Sequence, residues 1–488
     1  MALDDAAPAL APSSALPQPA RHTVATHWGL YRARMENGTA VALEGYEADP
    51  EPSPIGSVML GTRLAPARIM RPAVRKSYLE KGWRTGGAGR GGEPFVEVDW
   101  EVALSLVAGE LNRVRTEHGN AAIYGSSNGW GSAGRFHHPG TQVHRFLNTI
   151  GGFVRGVGNY SFGAADVILP YVFGTTQGLV SGHTPWSLIA GHCELIVMFG
   201  GLPLRNTQVS SGGIARHGVR AGAEAAKAKG ARLVNISAIR DDVLAGLDAE
   251  WLAPRPNTDT ALMLGLAHVL ISENLHDKAF VERYTTGFDK LAAYIRGDSD
   301  GTPKSPQWAA EITGIEPHRI VSLAREMAAK RTMITAAWAL QRADHGEQPY
   351  WMAGALAAML GQIGLPGGGI GYGYASSGGI GISPSIMAWP SLPQGKTLVD
   401  AFIPVSRVTD MLLDPGGAFD YNGKRYTYPH IRLVYWAGGN PFHHHQDLGR
   451  LGAAWAKPET IVVQDINWTA TAKRADIVLP ATTTLERN

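Results

Sequence analysis

The stretch G-H-C-E-L-I-V-M-F-G-G-L-P-L-R-N (191–206), answered by K-A-K-G-A-R-L-V-N-I-S (227–237), decides the fold. Leu195–Phe199 is an apolar run too short for a buried helix, as expected of a strand covered on both faces, and Ala231–Ile236 reads as the next strand. Between them Ala215–Lys229 is read as a helix. Strand, helix and strand at this spacing make a right-handed crossover between parallel strands. The pattern continues outward through helices near Thr258–Asn274, Lys278–Tyr284 and His318–Lys330, then a strand at Thr332–Trp338. The expected class is α/β with a doubly wound parallel sheet.

A second α/β set follows late in the chain. Ile431–Trp436 reads as a strand, Asp447–Trp455 as a helix, and Thr460–Asp465 and Asp476–Leu479 as strands. Upstream, Trp100–His118 reads as a helix with Asp99 at its N-cap, followed by a strand at Ala121–Tyr124 and a helix around Gln142–Ile150. The N-terminal part, from His22 to about Lys76, is short-stranded and turn-rich, with a hairpin turning at Asn37-Gly38. Gly82–Gly92 reads as an Arg/Gly-rich loop.

At 488 residues the chain needs several cores. Its net charge of +2, without a block of like charges, gives no footing for a nucleic-acid partner. One cysteine, Cys193, excludes a disulfide framework and four-cysteine iron–sulfur ligation. The charge-free run Gln348–Gly395 is broken by glycine- and proline-containing tracts, so no membrane insertion is expected. It suits backbone packed closely around something large. Residues 1–21 are Ala/Pro-rich, lack a basic and apolar signal pattern, and read as a disordered tail. A cytoplasmic location is expected on that basis, with a periplasmic one as the alternative.

Five segments could carry chemistry. S-S-N-G-W-G-S-A-G-R-F-H-H (126–138) follows a strand, and its glycines admit a close ligand; Trp130, Arg135, His137 and His138 could line a pocket. In G-N-Y-S-F-G-A-A (158–165), Ser161 follows a glycine-rich loop and precedes an apolar segment. An ionised serine oxygen is a hard donor suited to a high-valent metal, and an ordinary N-cap serine is the alternative. L-Q-R-A-D-H-G-E-Q-P-Y-W (340–351) sets a polar cluster at the carboxyl end of a strand, where α/β folds bind ligands; Arg342 could hold an S=O or N=O oxygen. W-A-G-G-N-P-F-H-H-H-Q-D (436–447) offers a Gly-Gly-Asn turn able to present backbone N–H groups to phosphates. Its adjacent histidines lack zinc spacing. Finally, S-A-I-R-D-D (237–242) follows a strand and R-P-N-T-D-T-A-L-M (255–263) opens a helix, where acids could receive donors of guanine or ribose; Thr258 as an N-cap with Asp259 in the first turn is the ordinary alternative. No G-x-G-x-x-G follows these strands, which disfavours bound NAD.

Taken with H-W-G-L-Y (27–31), G-Q-I-G-L-P-G-G-G (361–369) and T-A-T-A-K-R-A-D-I-V-L-P-A-T-T-T-L-E-R-N (469–488), these segments resemble the dimethyl-sulfoxide reductase family of molybdenum enzymes, closest to its biotin sulfoxide and trimethylamine N-oxide reductase branch. The resemblance implies several interleaved α/β domains with parallel sheets around a central cofactor cleft, plus a small β-rich N-terminal domain. It implies 22–76 as that domain, 77–178 with 352–488 as a discontinuous molybdopterin-binding domain, and 179–351 as a Rossmann-like dinucleotide-binding domain. The C-terminal pterin-binding domain of longer members is expected to be absent.

The implied cofactor is molybdenum bis(molybdopterin guanine dinucleotide), with no iron–sulfur cluster. Ser161 is the implied metal ligand, and Trp130, Gln341, Arg342, His345 and Trp186 the implied catalytic and funnel residues. Trp28, Asn128, Gly129, Ser237, Asp259, Gly438, Gly439, Asn440 and His443 are the implied cofactor contacts. Asn128 stands where members preferring dimethyl sulfoxide carry a tyrosine. The implied activity is oxygen-atom transfer from an S-oxide or N-oxide, with electrons from an external donor protein. The rivals are a C-terminally truncated fragment that binds cofactor without turnover, and a plain nucleotide-binding module.

Overall fold

The computed structural model describes residues 22–127, 136–383 and 391–486. At the amino end, β1 (His22–Thr26), β2 (Gly29–Glu36) and β3 (Thr39–Gly45) form an antiparallel sheet. The expected turn is present: Asn37 and Gly38 both take positive φ (51° and 75°), so the hairpin twists with its strands.

The next strands are β4 (Ala73–Arg75), β5 (Phe95–Glu97), β6 (Ile123–Ser126) and β7 (Val154–Val157). Then come β8 (Leu195–Phe199), β9 (Arg232–Ile236), β10 (Glu250–Leu252), β11 (Thr332–Ala336) and β12 (Gly369–Tyr372). The last are β13 (Phe402–Pro404), β14 (Ala418–Tyr421), β15 (Lys424–Thr427), β16 (Leu433–Ala437), β17 (Thr460–Asp465) and β18 (Ile477–Pro480). Two sheets organise the molecule, and β14–β15 is a separate hairpin.

The larger sheet runs β13-β7-β6-β16-β17-β18-β4-β5, parallel except at β4 and β5. The smaller runs β10-β9-β8-β11-β12 and is parallel throughout. Its last strand comes from beyond residue 351. All five residues of β8, β11 and β16 are buried, as doubly covered strands require. Strand order reverses direction between β6 and β16 in one sheet, and between β8 and β11 in the other. Crevices open at such switch points, beyond the carboxyl ends of the strands.

The helix Trp100–His118 lies where expected and buries Ala103, Val107, Leu111 and Val114, a stripe at helical spacing. Asp99 has N-cap backbone geometry, but its carboxylate pairs with Arg71 at 2.6 Å and caps no helix amide. The helix expected from Ala215 starts only at Val219, because His217 is drawn off into a buried pair with Asp49 at 2.7 Å. The strand expected to run to Trp338 stops at Ala336, and Trp338–Gln341 forms a 3-10 turn instead. The strand expected at Ala121 begins at Ile123, after a 3-10 turn. Gln348–Met359, inside the charge-free run, is a helix buried on nearly every side, so no amphipathic stripe announces it. Among the described residues no helix is long and apolar enough to cross a membrane.

The 82–92 segment is anchored by charge. Arg75 and Arg90 meet Asp476, which is fully buried. Asp476 accepts from Arg75 Nε at 2.9 Å, Arg90 Nη2 at 2.5 Å and the Ile461 amide at 2.8 Å. Glu93 gives Arg75 a second carboxylate at 2.7 Å. The network ties β4, its following loop, β17 and β18 together.

Candidate functional site

Ser161 sits in the turn between β7 and the helix Gly163–Phe173, half-buried. The N-cap alternative fails on geometry. Phe162 occupies the cap position, and no side chain of the preceding turn bonds the helix amides from there. Gln341 supplies the cap from the other sheet: its Oε1 accepts from Ala164 N at 2.7 Å and Ala165 N at 3.3 Å. Among the described residues the Ser161 hydroxyl makes no hydrogen bond, although the peptides and side chains around it are pinned. Asn159 Oδ1 accepts from Phe162 N at 2.6 Å, and Asn159 Nδ2 donates to Asp166 at 3.1 Å.

Tyr160 is fixed on the opposite side. Its hydroxyl donates to the Val405 carbonyl at 2.7 Å, which leaves the phenol oxygen to accept from His445 Nδ1 at 2.6 Å. His445 Nε2 then accepts from the Thr409 hydroxyl at 2.7 Å. Burial first, then the neighbouring His444, pushes the His445 imidazole down to about 4, so it is neutral near pH 7. The Ser161 turn is thus gripped from the smaller sheet by Gln341 and from the larger by His445.

The Gly438-Gly439 turn leaves the carboxyl end of β16 with φ of 69° and 78°, a backbone that favours glycine. It borders a cavity of about 680 Å³ at the β6/β16 switch point, with Pro139, Tyr435, Gln464 and Asp465. Burial raises the Asp465 carboxyl above its usual range. Asn440 Oδ1 is taken by the Thr471 hydroxyl (2.6 Å) and amide (3.2 Å), so this oxygen orders the turn. His443 is exposed. Among the described residues no three His, Cys, Asp or Glu side chains are grouped to hold a metal ion. Cys193 is buried, and burial pushes its thiol up to about 11.

At the carboxyl edge of the smaller sheet, Asp259 opens the helix Asp259–Ser272. Burial raises its carboxyl to about 6, and no cation pairs with it among the described residues. Thr258, the cap position, gives its hydroxyl to Arg255 O at 2.6 Å. Ser237 is committed elsewhere: its hydroxyl donates to Asp242 at 2.8 Å and accepts from Ile239 N at 3.2 Å.

The other expected residues separate into three groups. Asn128, Gly129 and Trp130 lie outside the described residues. Arg342 and His345 are exposed on the loop after β11, and His345 takes a left-handed φ of 52°. The Arg342 guanidinium makes no hydrogen bond or ion pair among the described residues, which leaves it available to an anion or oxide. Trp186 and Gln341 differ from expectation. Trp186 is 4% exposed and packs in the core, edge-on to Tyr374 at 5.7 Å, rather than lining an open funnel; Gly222 and Gly381 leave room for its ring. Gln341 is 8% exposed and bonded to backbone, not free to meet a substrate. Trp28 is half-buried beside Tyr31, with an indole N–H that has no partner among the described residues. Sequence reasoning missed Asn159, Tyr160, His445 and Thr409. Only Asn159 left a signal, an Asx side chain two residues before the serine.

Family models match two stretches of the chain: Molybdopterin oxidoreductase over residues 68–488, and Molybdopterin oxidoreductase N-terminal domain over residues 25–61. The chain is 47% identical to the dimethyl sulfoxide/trimethylamine N-oxide reductase of Cereibacter sphaeroides, over 95% of this chain and 57% of that protein. It is 47% identical to the biotin sulfoxide reductase of the same organism, over 92% of this chain and 60% of that protein. It is 41% identical to the trimethylamine-N-oxide reductase of Haemophilus influenzae, over 95% and 57%. The chain therefore spans less than two thirds of the length of these curated relatives. Among solved structures, acetylene hydratase from Pelobacter acetylenicus superposes with a TM-score of 0.63 at 17% identity, covering 95% of this chain and 63% of that one. That likeness bears on the fold alone.

Proposed function

The chain belongs to the molybdopterin oxidoreductase family, which implies a molybdenum–pterin cofactor, and from that premise we propose that it takes one oxygen atom from an S-oxide or N-oxide, with Ser161 as the protein ligand to the metal. One observation carries the reading: the Ser161 hydroxyl has no hydrogen bond among the described residues, while Gln341 does the capping a serine there would otherwise do.

The residues fit the group. A hydroxyl left without a partner in a pinned turn is a hard oxygen donor held ready for a high-valent metal. The left-handed glycines at 438 and 439 let backbone approach a pyrophosphate at the switch-point cavity. Asp259, half-buried and with no cation paired to it among the described residues, suits the ring N–H donors of guanine. With two such edges available, we propose the bis(guanine dinucleotide) form and no iron–sulfur cluster. When bound, the metal centre supplies two-electron oxygen-atom exchange; the protein sets access and orientation.

The Arg342 guanidinium binds the substrate oxygen through charge-assisted hydrogen bonds, with His345 beside it at the mouth. Gln341 takes no part in binding substrate. Electrons come from an external donor protein, and two protons accompany them as the oxygen leaves as water. Biotin sulfoxide, methionine sulfoxide and trimethylamine N-oxide form the substrate class, named by relatives of this branch for the first and third.

The test is Ser161→Ala in the full-length protein. The variant should fold, retain pterin, and lose at least about 100-fold in reductase turnover, as loss of a directly acting group does. Wild-type turnover at full molybdenum loading refutes the ligand role. Bound molybdenum without turnover in the unaltered chain refutes the activity.

A further inference from the structure

We propose that Gln341 is a positioning residue for the metal ligand: its amide sets the direction of the Ser161 hydroxyl and couples it to the substrate loop. The inference rests on the reading of Ser161 as a ligand and deepens it.

An amide side chain offers one acceptor oxygen and one donor nitrogen, and here both are committed to one turn and its own loop. Oε1 receives the Ala164 and Ala165 amides, the open end of the helix Gly163–Phe173. Nε2 donates to the Ser161 carbonyl and, at 3.2 Å, to the Trp338 carbonyl. Only one amide orientation satisfies two donors on one side and two carbonyls on the other, so the side chain cannot flip without breaking the set. The cap closes over a chain separation of 177 and 176 residues, from the loop after β11 in the smaller sheet. A second contact in the same place fixes the register: the Trp338 ring packs on Phe162 at 4.6 Å.

The consequence is local rigidity where freedom would be costly. The peptide carbonyl of residue 161 is held by Gln341, the amide of residue 162 by Asn159, and the side chain of residue 160 by His445. Among the described residues the Ser161 hydroxyl has no hydrogen bond, while these groups on either side of it are held. The residue after Gln341 is Arg342, the cation assigned to the substrate oxygen. A shift of this 3-10 turn therefore moves ligand and substrate cation together. Partners that orient a ligand without touching the metal are typically worth about 10–100-fold in metal affinity or activity.

The experiment compares Gln341→Glu, Gln341→Leu and Ser161→Ala in the full-length protein, loaded with molybdenum cofactor. The readouts are metal content, Mo(V) electron paramagnetic resonance, Mo–O distances from X-ray absorption, and kcat and KM measured separately. Gln341→Glu keeps the acceptor for Ala164 and Ala165 but sets a carboxylate oxygen against the Ser161 carbonyl. Gln341→Leu removes both sides of the clamp. The expected result is near-full metal in Gln341→Glu, a spectrum moved toward that of Ser161→Ala, and kcat lower by about 10–100-fold. KM should rise in the same variant, because Arg342 moves with the turn. Should Gln341→Leu fail to fold, Gln341→Glu decides alone, since it matches the native side chain in shape. Wild-type spectrum and kcat in Gln341→Glu, with Ser161→Ala altered, overturn the positioning role. A wild-type spectrum in Ser161→Ala overturns coordination by Ser161 itself.

Discussion

Replacing Asp476 by Asn should unfold the larger sheet well before the smaller one, and the size of the effect follows from the bonds around it. Asp476 is fully buried and takes hydrogen bonds from two guanidinium groups and one backbone amide. An asparagine has one acceptor oxygen where the carboxylate has two, and its NH2 faces donors on the other side. Arg75 keeps Glu93 at 2.7 Å and is only partly deprived. Arg90 keeps carbonyls alone, Trp455 O at 2.7 Å and Glu459 O at 3.2 Å, and loses its one carboxylate. The cost falls mainly on Arg90. An uncompensated buried charge costs about 3–5 kcal/mol. At about 2–4 °C per kcal/mol that lowers the melting temperature by roughly 6–20 °C. Calorimetry on wild type and Asp476→Asn measures the shift. The double variant Arg90→Met/Asp476→Asn removes the stranded charge and should recover at least half of it. A shift under about 2 °C in Asp476→Asn, or no recovery in the double variant, refutes the assignment of the cost to Arg90.

Three further outcomes are expected. The folded His445 imidazole takes its proton near 4 and the unfolded one near 6.5, so between these values the unfolded chain binds more protons. Stability then rises with pH, is complete above about 6.5 and is lost as pH falls through 4, by about 3 kcal/mol; urea titrations of His445→Gln across pH 4–7 should lack this slope. Asp259 is the opposite case: its carboxyl is raised to about 6, the folded chain binds more protons between the two states' values, and stability falls as pH rises through that window. Asp259→Asn should therefore stabilise the cofactor-free chain at pH 8, leave it unchanged at pH 3, and weaken guanine dinucleotide binding measured by calorimetry. Gly222→Ala lies in the helix Val219–Ala228, where alanine ordinarily gains up to about 1 kcal/mol. Here the new Cβ would stand 2.4 Å from Trp186 Cβ, so thermal unfolding should show a loss of about 1–3 kcal/mol instead.

The fold was legible where a single segment carries its own signal. Asn37-Gly38 specifies its hairpin, and Leu195–Phe199 and Thr460–Asp465 are strands at the bounds expected, each carrying a short buried apolar run, L-I-V-M-F in one and I-V-V in the other. The helix Trp100–His118 shows its stripe plainly. Gln348–Met359 does not, since a helix buried all round has no periodicity to read. The site was legible in its residue types and not in its bonds. Ser161 stood out in its turn, yet spacing favoured a cap, and the side chain that caps the helix lies 180 residues on. Gln341 drew attention in a polar cluster at a strand end and Trp186 through the family resemblance alone, and tertiary packing gave both to the interior. His445 sat in a histidine run whose spacing argued against zinc, and nothing in that run announced the two hydrogen bonds that commit it to Tyr160 and Thr409.

The order β7-β6-β16-β17 has a consequence for biosynthesis. The strands of the smaller sheet are consecutive in the chain and can close as soon as residue 372 has left the ribosome. The second neighbour of β6, β16, is made about 300 residues later, a wait of roughly 15–60 s at about 5–20 residues per second. Until then β6 and β7 present an open edge of unpaired amides and carbonyls to every other nascent chain. Covering that edge until β16 arrives would lower the chance of pairing between nascent chains.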